Sequence, residues 1–128
     1  MRKLLYVLGG LAVVIVSFFG TLWTLDRFYG PTCPAGGTEL QRPFPKFGEP
    51  WGYSKEVQVP GDMPGQAQTS KLLLCEDGVA IGPARSPHGD IAKEGRGRYS
   101  HWGNNIMFST SDNSDPNRNG RIYSIVNP

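Results

Sequence analysis

Residues Leu4–Leu25 form an apolar run without a single charge, preceded by Met1, Arg2 and Lys3. Such a run has few places to go in water. Its 22 residues, at about 1.5 Å of rise each, make a helix of roughly 33 Å, enough to cross a hydrocarbon core about 30 Å thick. The run predicts one transmembrane helix within residues 1–29. Everything after it is polar and rich in Gly and Pro, as befits an aqueous body.

Arg2 and Lys3 stand on one side of the run, whereas Asp26 and Arg27 cancel on the other, so the N-terminus is expected in the cytoplasm and the body outside. Trp23, Phe28 and Tyr29 gather at the outer end and Tyr6 near the inner one, where aromatic rings settle among headgroups. A cleavable signal peptide is the main alternative. Its apolar region is usually about 7–15 residues and ends in a small-residue site, which Phe18-Phe19-Gly20-Thr21-Leu22 does not supply. Cys33 lies too far from the run to be a lipoprotein cysteine. Gly10, Ser17, Gly20, Thr21 and Thr24 put small side chains on the span, including Ser17-x-x-x-Thr21 and Gly20-x-x-x-Thr24, through which another membrane helix can approach. The span contains no histidine, so it offers no such ligand to haem or chlorophyll, and no cofactor is expected.

An extracytoplasmic body allows a disulfide between Cys33 and Cys75. Its loop of about 43 residues would be worth roughly 4 kcal/mol by chain entropy. Two unpaired thiols are the alternative. No C-x-x-C occurs, which argues against a thioredoxin-like dithiol and c-type haem. The net charge of +2 comes from Arg2 and Lys3, because beyond them 11 Lys/Arg face 11 Asp/Glu. A neutral body lacks the basic footprint of a nucleic-acid binder. The bunching of Lys93, Arg96 and Arg98 is diluted by Glu94 and reads as a solvated loop.

Seven of the 11 prolines fall between residues 30 and 69, which excludes regular helix there. The aromatics Phe44, Phe47, Trp51 and Tyr53 distinguish this stretch from a plain spacer, so it reads as an extended arm with side chains to bury against a partner. Lys55–Val59 alternates and is one candidate strand. Residues 70–128 then read as a small all-β domain. Two runs, 71–76 and 79–82, flank Asp77-Gly78, a two-residue type I′ hairpin signal. A second hairpin is expected around Gly103-Asn104-Asn105, and Arg121–Val126 forms a last strand with Tyr123 and Ile125 on one face. These predict an antiparallel meander or an open barrel.

The oxygen-rich loop Asp112–Gly120 invites calcium, but Ser114, Pro116 and Asn117 break the EF-hand pattern, and turn chemistry explains the same residues. No metal site is expected. His88 and His101 are the two histidines, and neither sits in a nucleophile elbow, a zinc helix or a metal-type spacing. Gly95-Arg96-Gly97-Arg98 has no helix behind it to bind phosphate. Catalytic residues are therefore not expected. Tyr99, His101 and Trp102, beside Asn104 and Asn105, are candidates for stacking on a sugar or a protein surface. Strand alternation puts Tyr99 and His101 on one face and Trp102 on the other, and core packing is the stronger reading for Trp102.

Gly97-Arg98-Tyr99-Ser100-His101-Trp102-Gly103 and Ser111-Asp112-Asn113-Ser114-Asp115-Pro116, within residues 76–125, resemble a small β module of bacterial surface-polysaccharide enzymes, including glycosyltransferase- and methyltransferase-like chains. The resemblance implies a bacterial source and brings no catalytic residue with it. This chain is expected to carry a membrane anchor where those proteins have a large enzyme domain. The leading expectation is a non-catalytic single-pass accessory subunit of a larger bacterial membrane complex, photosynthetic or respiratory, in the inner membrane with its body in the periplasm. Its partners would be membrane-embedded subunits and the lipid bilayer, not nucleic acid. The alternatives are an anchored glycan-binding module and a small anchored enzyme.

Overall fold

β-Branched and aromatic runs punctuated by Gly, Pro and Asn build two antiparallel sheets in the computed structural model, which describes residues 30–128. The expected span, with Gly10, Ser17, Gly20, Thr21 and Thr24, lies outside the described residues. Among the described residues no helix is long and apolar enough to cross a membrane. The strands are β1 (Thr38–Glu39), β2 (Lys46–Gly48), β3 (Gly52–Glu56), β4 (Leu73–Glu76), β5 (Val79–Ala80), β6 (Tyr99–Trp102), β7 (Asn105–Phe108) and β8 (Tyr123–Val126), with one short helix, α1 (His88–Lys93). Sheet one has the order β1-β8-β4-β5 and sheet two the order β2-β3-β7-β6. The body is all-β, as expected. The simple meander and the barrel give way to two sheets, because β8 returns to lie between β1 and β4, and β3 joins β7 across a long stretch of chain.

Period-two alternation explains how the sheets face each other. Leu74 pairs with Ile125 and Glu76 with Tyr123, so these side chains share the inner face of sheet one. In sheet two, Tyr53, Phe108 and Tyr99 form one inward row and Lys55, Ile106 and His101 the next. Phe108 and Tyr123 meet across the interface with ring centroids 5.4 Å apart. The outer face of sheet two is covered by α1, which buries Ile91 and Ala92.

The separate arm expected over residues 30–69 is not found. Pro31–Pro128 form one compact unit, and the proline-rich stretch contributes β1 to sheet one and β2 and β3 to sheet two. Proline breaks helices but sits readily at strand ends and edges, and Pro43, Pro45 and Pro50 flank β2 in that way. Phe44, 2% exposed, packs edge-on to Phe108 at 5.4 Å and to Tyr123 at 5.5 Å. Tyr53 is also buried, whereas Phe47 and Trp51 are half-buried. Two of the four aromatics assigned to an interface are therefore core. The candidate strand over Lys55–Val59 falls earlier, at Gly52–Glu56.

Both hairpins form. Asp77 and Gly78 have φ of 50° and 79°, the paired positive values of a type I′ turn between β4 and β5. Gly103 and Asn104 link β6 to β7, and Asn105 belongs to the strand rather than to the turn. Cys33 and Cys75 are joined by a disulfide with Cα atoms 6.3 Å apart, tying the start of the body to the central strand β4.

Candidate functional site

The sequence candidates Tyr99, His101 and Trp102 do not share a surface. Tyr99 and His101 point into the sandwich and are 2% and 3% exposed. The Tyr99 hydroxyl donates to the Leu72 carbonyl at 3.0 Å, and burial pushes its phenol above the ordinary value. The His101 ring is held at both nitrogens, with Ser70 Oγ 2.7 Å from Nδ1 and the Val59 carbonyl 2.8 Å from Nε2. A carbonyl only accepts, so Nε2 carries the proton and Nδ1 receives the Ser70 hydroxyl. Ser70 is fixed in turn by Asp62, whose buried carboxylate accepts the amides of Thr69 at 2.7 Å and Ser70 at 2.9 Å. Gly61 passes so close to β6 that a Cβ there would lie 2.7 Å from the His101 ring and carbonyl. These partners lie 31 to 42 residues from His101 and carried no sequence signal. The arrangement pins the residue 59–70 crossover to β6.

Trp102 lies on the other face. His88 at the start of α1 stands edge-on between Trp102, at 5.7 Å, and Phe47, at 6.0 Å, and all three are half-buried. The expected core position of Trp102 is thus replaced by a partly exposed ridge of three rings. On the same face Ser100 Oγ is buried without a hydrogen-bond partner among the described residues.

The loop considered for calcium is closed by its own side chains. Asp112 accepts from the Ser114 amide and hydroxyl and forms a two-point pair with Arg121 at 2.9 and 2.7 Å. The Arg121 guanidinium holds the Asp112 carboxyl well below the usual carboxylate range. Arg121 also reaches Glu76, 8% exposed at the inner end of β4, at 2.8 Å, and the Ser111 hydroxyl and amide complete the shell of that carboxylate. Among the described residues no three His, Cys, Asp or Glu side chains are grouped to hold a metal.

A groove opens where the two sheets part along β1 and the C-terminal half of β3. It has a volume of about 290 Å³, and its floor is Leu40, Val57 and Ile125. Glu39 and Glu56 stand at its rim. Sequence reading marked Lys55–Val59 as a candidate strand and placed Ile125 on one face of the last strand, but it passed over Leu40 and β1, which is two residues long and shows no period. No protein-family model matches the chain, no curated protein matches it in sequence, and no solved structure matches it.

Proposed function

We infer that this chain is a non-catalytic, single-pass accessory subunit whose extracytoplasmic β-sandwich binds and stabilises a larger bacterial membrane complex, photosynthetic or respiratory in kind. The observation that carries this reading is the charge-free run Leu4–Leu25 in front of a disulfide-closed body. A small domain held against a membrane by one span acts on what shares that membrane. The titratable groups support the non-catalytic part, since His101, Asp62, Glu76 and Asp112 are each engaged in holding loops to strands.

The test is the native mass of the protein after gentle detergent extraction from its source membrane, with mass spectrometry of every co-migrating chain. A stoichiometric assembly is expected, and a lone 14.0 kDa species would overturn the reading. The Phe47–His88–Trp102 ridge favours a second reading, an anchored module that binds envelope glycan. That reading expects Trp102 fluorescence to shift on addition of cell-envelope polysaccharide and Trp102→Ala to abolish retention on it.

A further inference from the structure

Sheet edges expose unpaired N–H and C=O groups and invite another strand, and three of the four edges in this body are protected. The β5 edge is covered by residues 31–33, with Ala80 N donating to the Pro31 carbonyl at 2.9 Å and Cys33 N to that of Gly78 at 2.8 Å. The β6 edge is covered twice, by Ser86 N on the Tyr99 carbonyl at 3.0 Å and by Asp62 N on the His101 carbonyl at 2.9 Å. The β2 edge is blunted by flanking prolines. At β1 the chain supplies no such cover among the described residues.

The register fixes which groups are left there. Thr38 stands opposite Ile125, and Leu40 N donates to the Tyr123 carbonyl at 2.8 Å, so Thr38 and Leu40 face β8. Alternation then turns the N–H and C=O of Glu39 outward. Across the groove, Val57 N donates to the Asn104 carbonyl at 2.8 Å and Ser54 N to the Pro45 carbonyl at 2.8 Å. Glu56 shares the Ser54 side and lies beyond the end of β2, so its backbone groups face the same opening. The groove is lined by two carboxylates, Glu39 and Glu56, and one ammonium, Lys55. Lys55 is drawn aside onto the Pro43 carbonyl at 3.4 Å and the Phe44 ring at 5.9 Å. Glu39 accepts from Gln41 at 3.2 Å, and neither Glu39 nor Glu56 meets a cation among the described residues.

We propose that this groove takes an extended segment of a partner protein, which adds to β1 as a further strand, sets an apolar side chain on Leu40, Val57 and Ile125, and brings Lys or Arg to Glu39 and Glu56. The proposal rests on the accessory-subunit reading and names the surface by which the host is held. Backbone pairing supplies affinity in such a mode, and the pocket and the rim charges supply selectivity.

The probe is a short synthetic peptide alternating lysine and valine, titrated into the ¹⁵N-labelled full chain in detergent micelles. Controls are its glutamate–valine counterpart and a lysine–valine peptide N-methylated on alternate amides. The lysine–valine peptide is expected to move the amides of Glu39, Leu40 and Val57. Alternate N-methylation is expected to weaken binding about tenfold or more, since each lost backbone hydrogen bond accounts for up to about tenfold. Glu39→Pro removes the outward N–H and leaves the ladder to β8 intact, so a similar loss at unchanged melting temperature is expected. Glu39→Lys combined with Glu56→Lys should reverse the preference between the charged peptides. Equal binding of the methylated peptide, amide shifts confined to other surfaces, or self-association of two copies through β1 in place of peptide binding would each overturn the proposal. Native mass separates the two levels: a wild-type chain that migrates alone overturns the accessory-subunit reading, whereas a Glu39→Pro chain that is retained on the assembly as tightly as wild type in detergent washes overturns the groove alone.

Discussion

The two flanks of this sandwich are built differently. On the β5 and β6 side, residues 31–33, 61–62 and 83–86 lie along the strands and consume their outward amides and carbonyls. On the β1 side the strand ends at Glu39 and the groove behind it stays open. The difference shows where the chain commits backbone hydrogen bonds to its own edges and where, among the described residues, it does not; the proposed partner strand would use the latter. Edge protection ordinarily prevents indiscriminate strand pairing, and among the described residues β1 is the edge that lacks it, which is the ground for the proposed partner strand.

The largest test of this contrast removes the staple on the protected flank. Replacing Cys33 and Cys75 by serine should cost about 4 kcal/mol and loosen residues 31–33 from β5, measured by denaturation of the full chain and by exchange of the Ala80 amide. Peptide maps with and without reductant must differ at these two positions. Gly61→Val comes next, because its side chain meets the His101 ring and carbonyl, and neither can retreat without opening β6. About 1–3 kcal/mol of destabilisation is expected, with faster exchange at the Asp62 amide. A mutant as stable as the parent would mean that the crossover is not pinned there.

Arg121→Met is expected to cost about 1–2 kcal/mol at neutral pH, since it removes a hydrogen bond from the buried Glu76 carboxylate. It should also flatten the acid limb of the stability curve. Asp112 is held below its ordinary value, so its contribution is complete above the unfolded carboxylate range near about pH 4 and fades as pH falls toward the lower folded value. Without Arg121 the largest cause of that depression is gone, and a stability curve unchanged below about pH 4 would contradict the assignment. The smallest effect belongs to the open flank. Glu39→Pro should shift stability by less than about 0.5 kcal/mol, because the missing N–H had no partner in the ladder. A large loss there would erase the distinction between the flanks.

The hairpins were legible because their determinants are adjacent in the chain. Asp77-Gly78 specifies its turn through local φ preferences, and the alternation in Tyr123–Val126 shows which side chains share a face, though not which face is buried, since Val126 on the opposite face is buried as well. Phe44 was not legible in this way. Its prolines advertise an extended backbone, but whether an extended segment reaches out or folds back depends on Phe108 and Tyr123, 64 and 79 residues further on. His101 was similar: its strand face was readable, whereas Ser70 and Val59, which occupy its two nitrogens, come together only when the crossover closes over β6.

The sequence by itself determined the apolar run, the neutral body, the turns and the all-β character, since each follows from residues within a few positions of one another. The tertiary structure alone decided that the proline-rich stretch is core and edge rather than an arm, that the candidate aromatics divide between core and ridge, and that β1 is the edge left uncovered among the described residues. Those outcomes are set by strand order and register. Both arise from the joint burial of side chains far apart in the chain, a sum that no local pattern encodes.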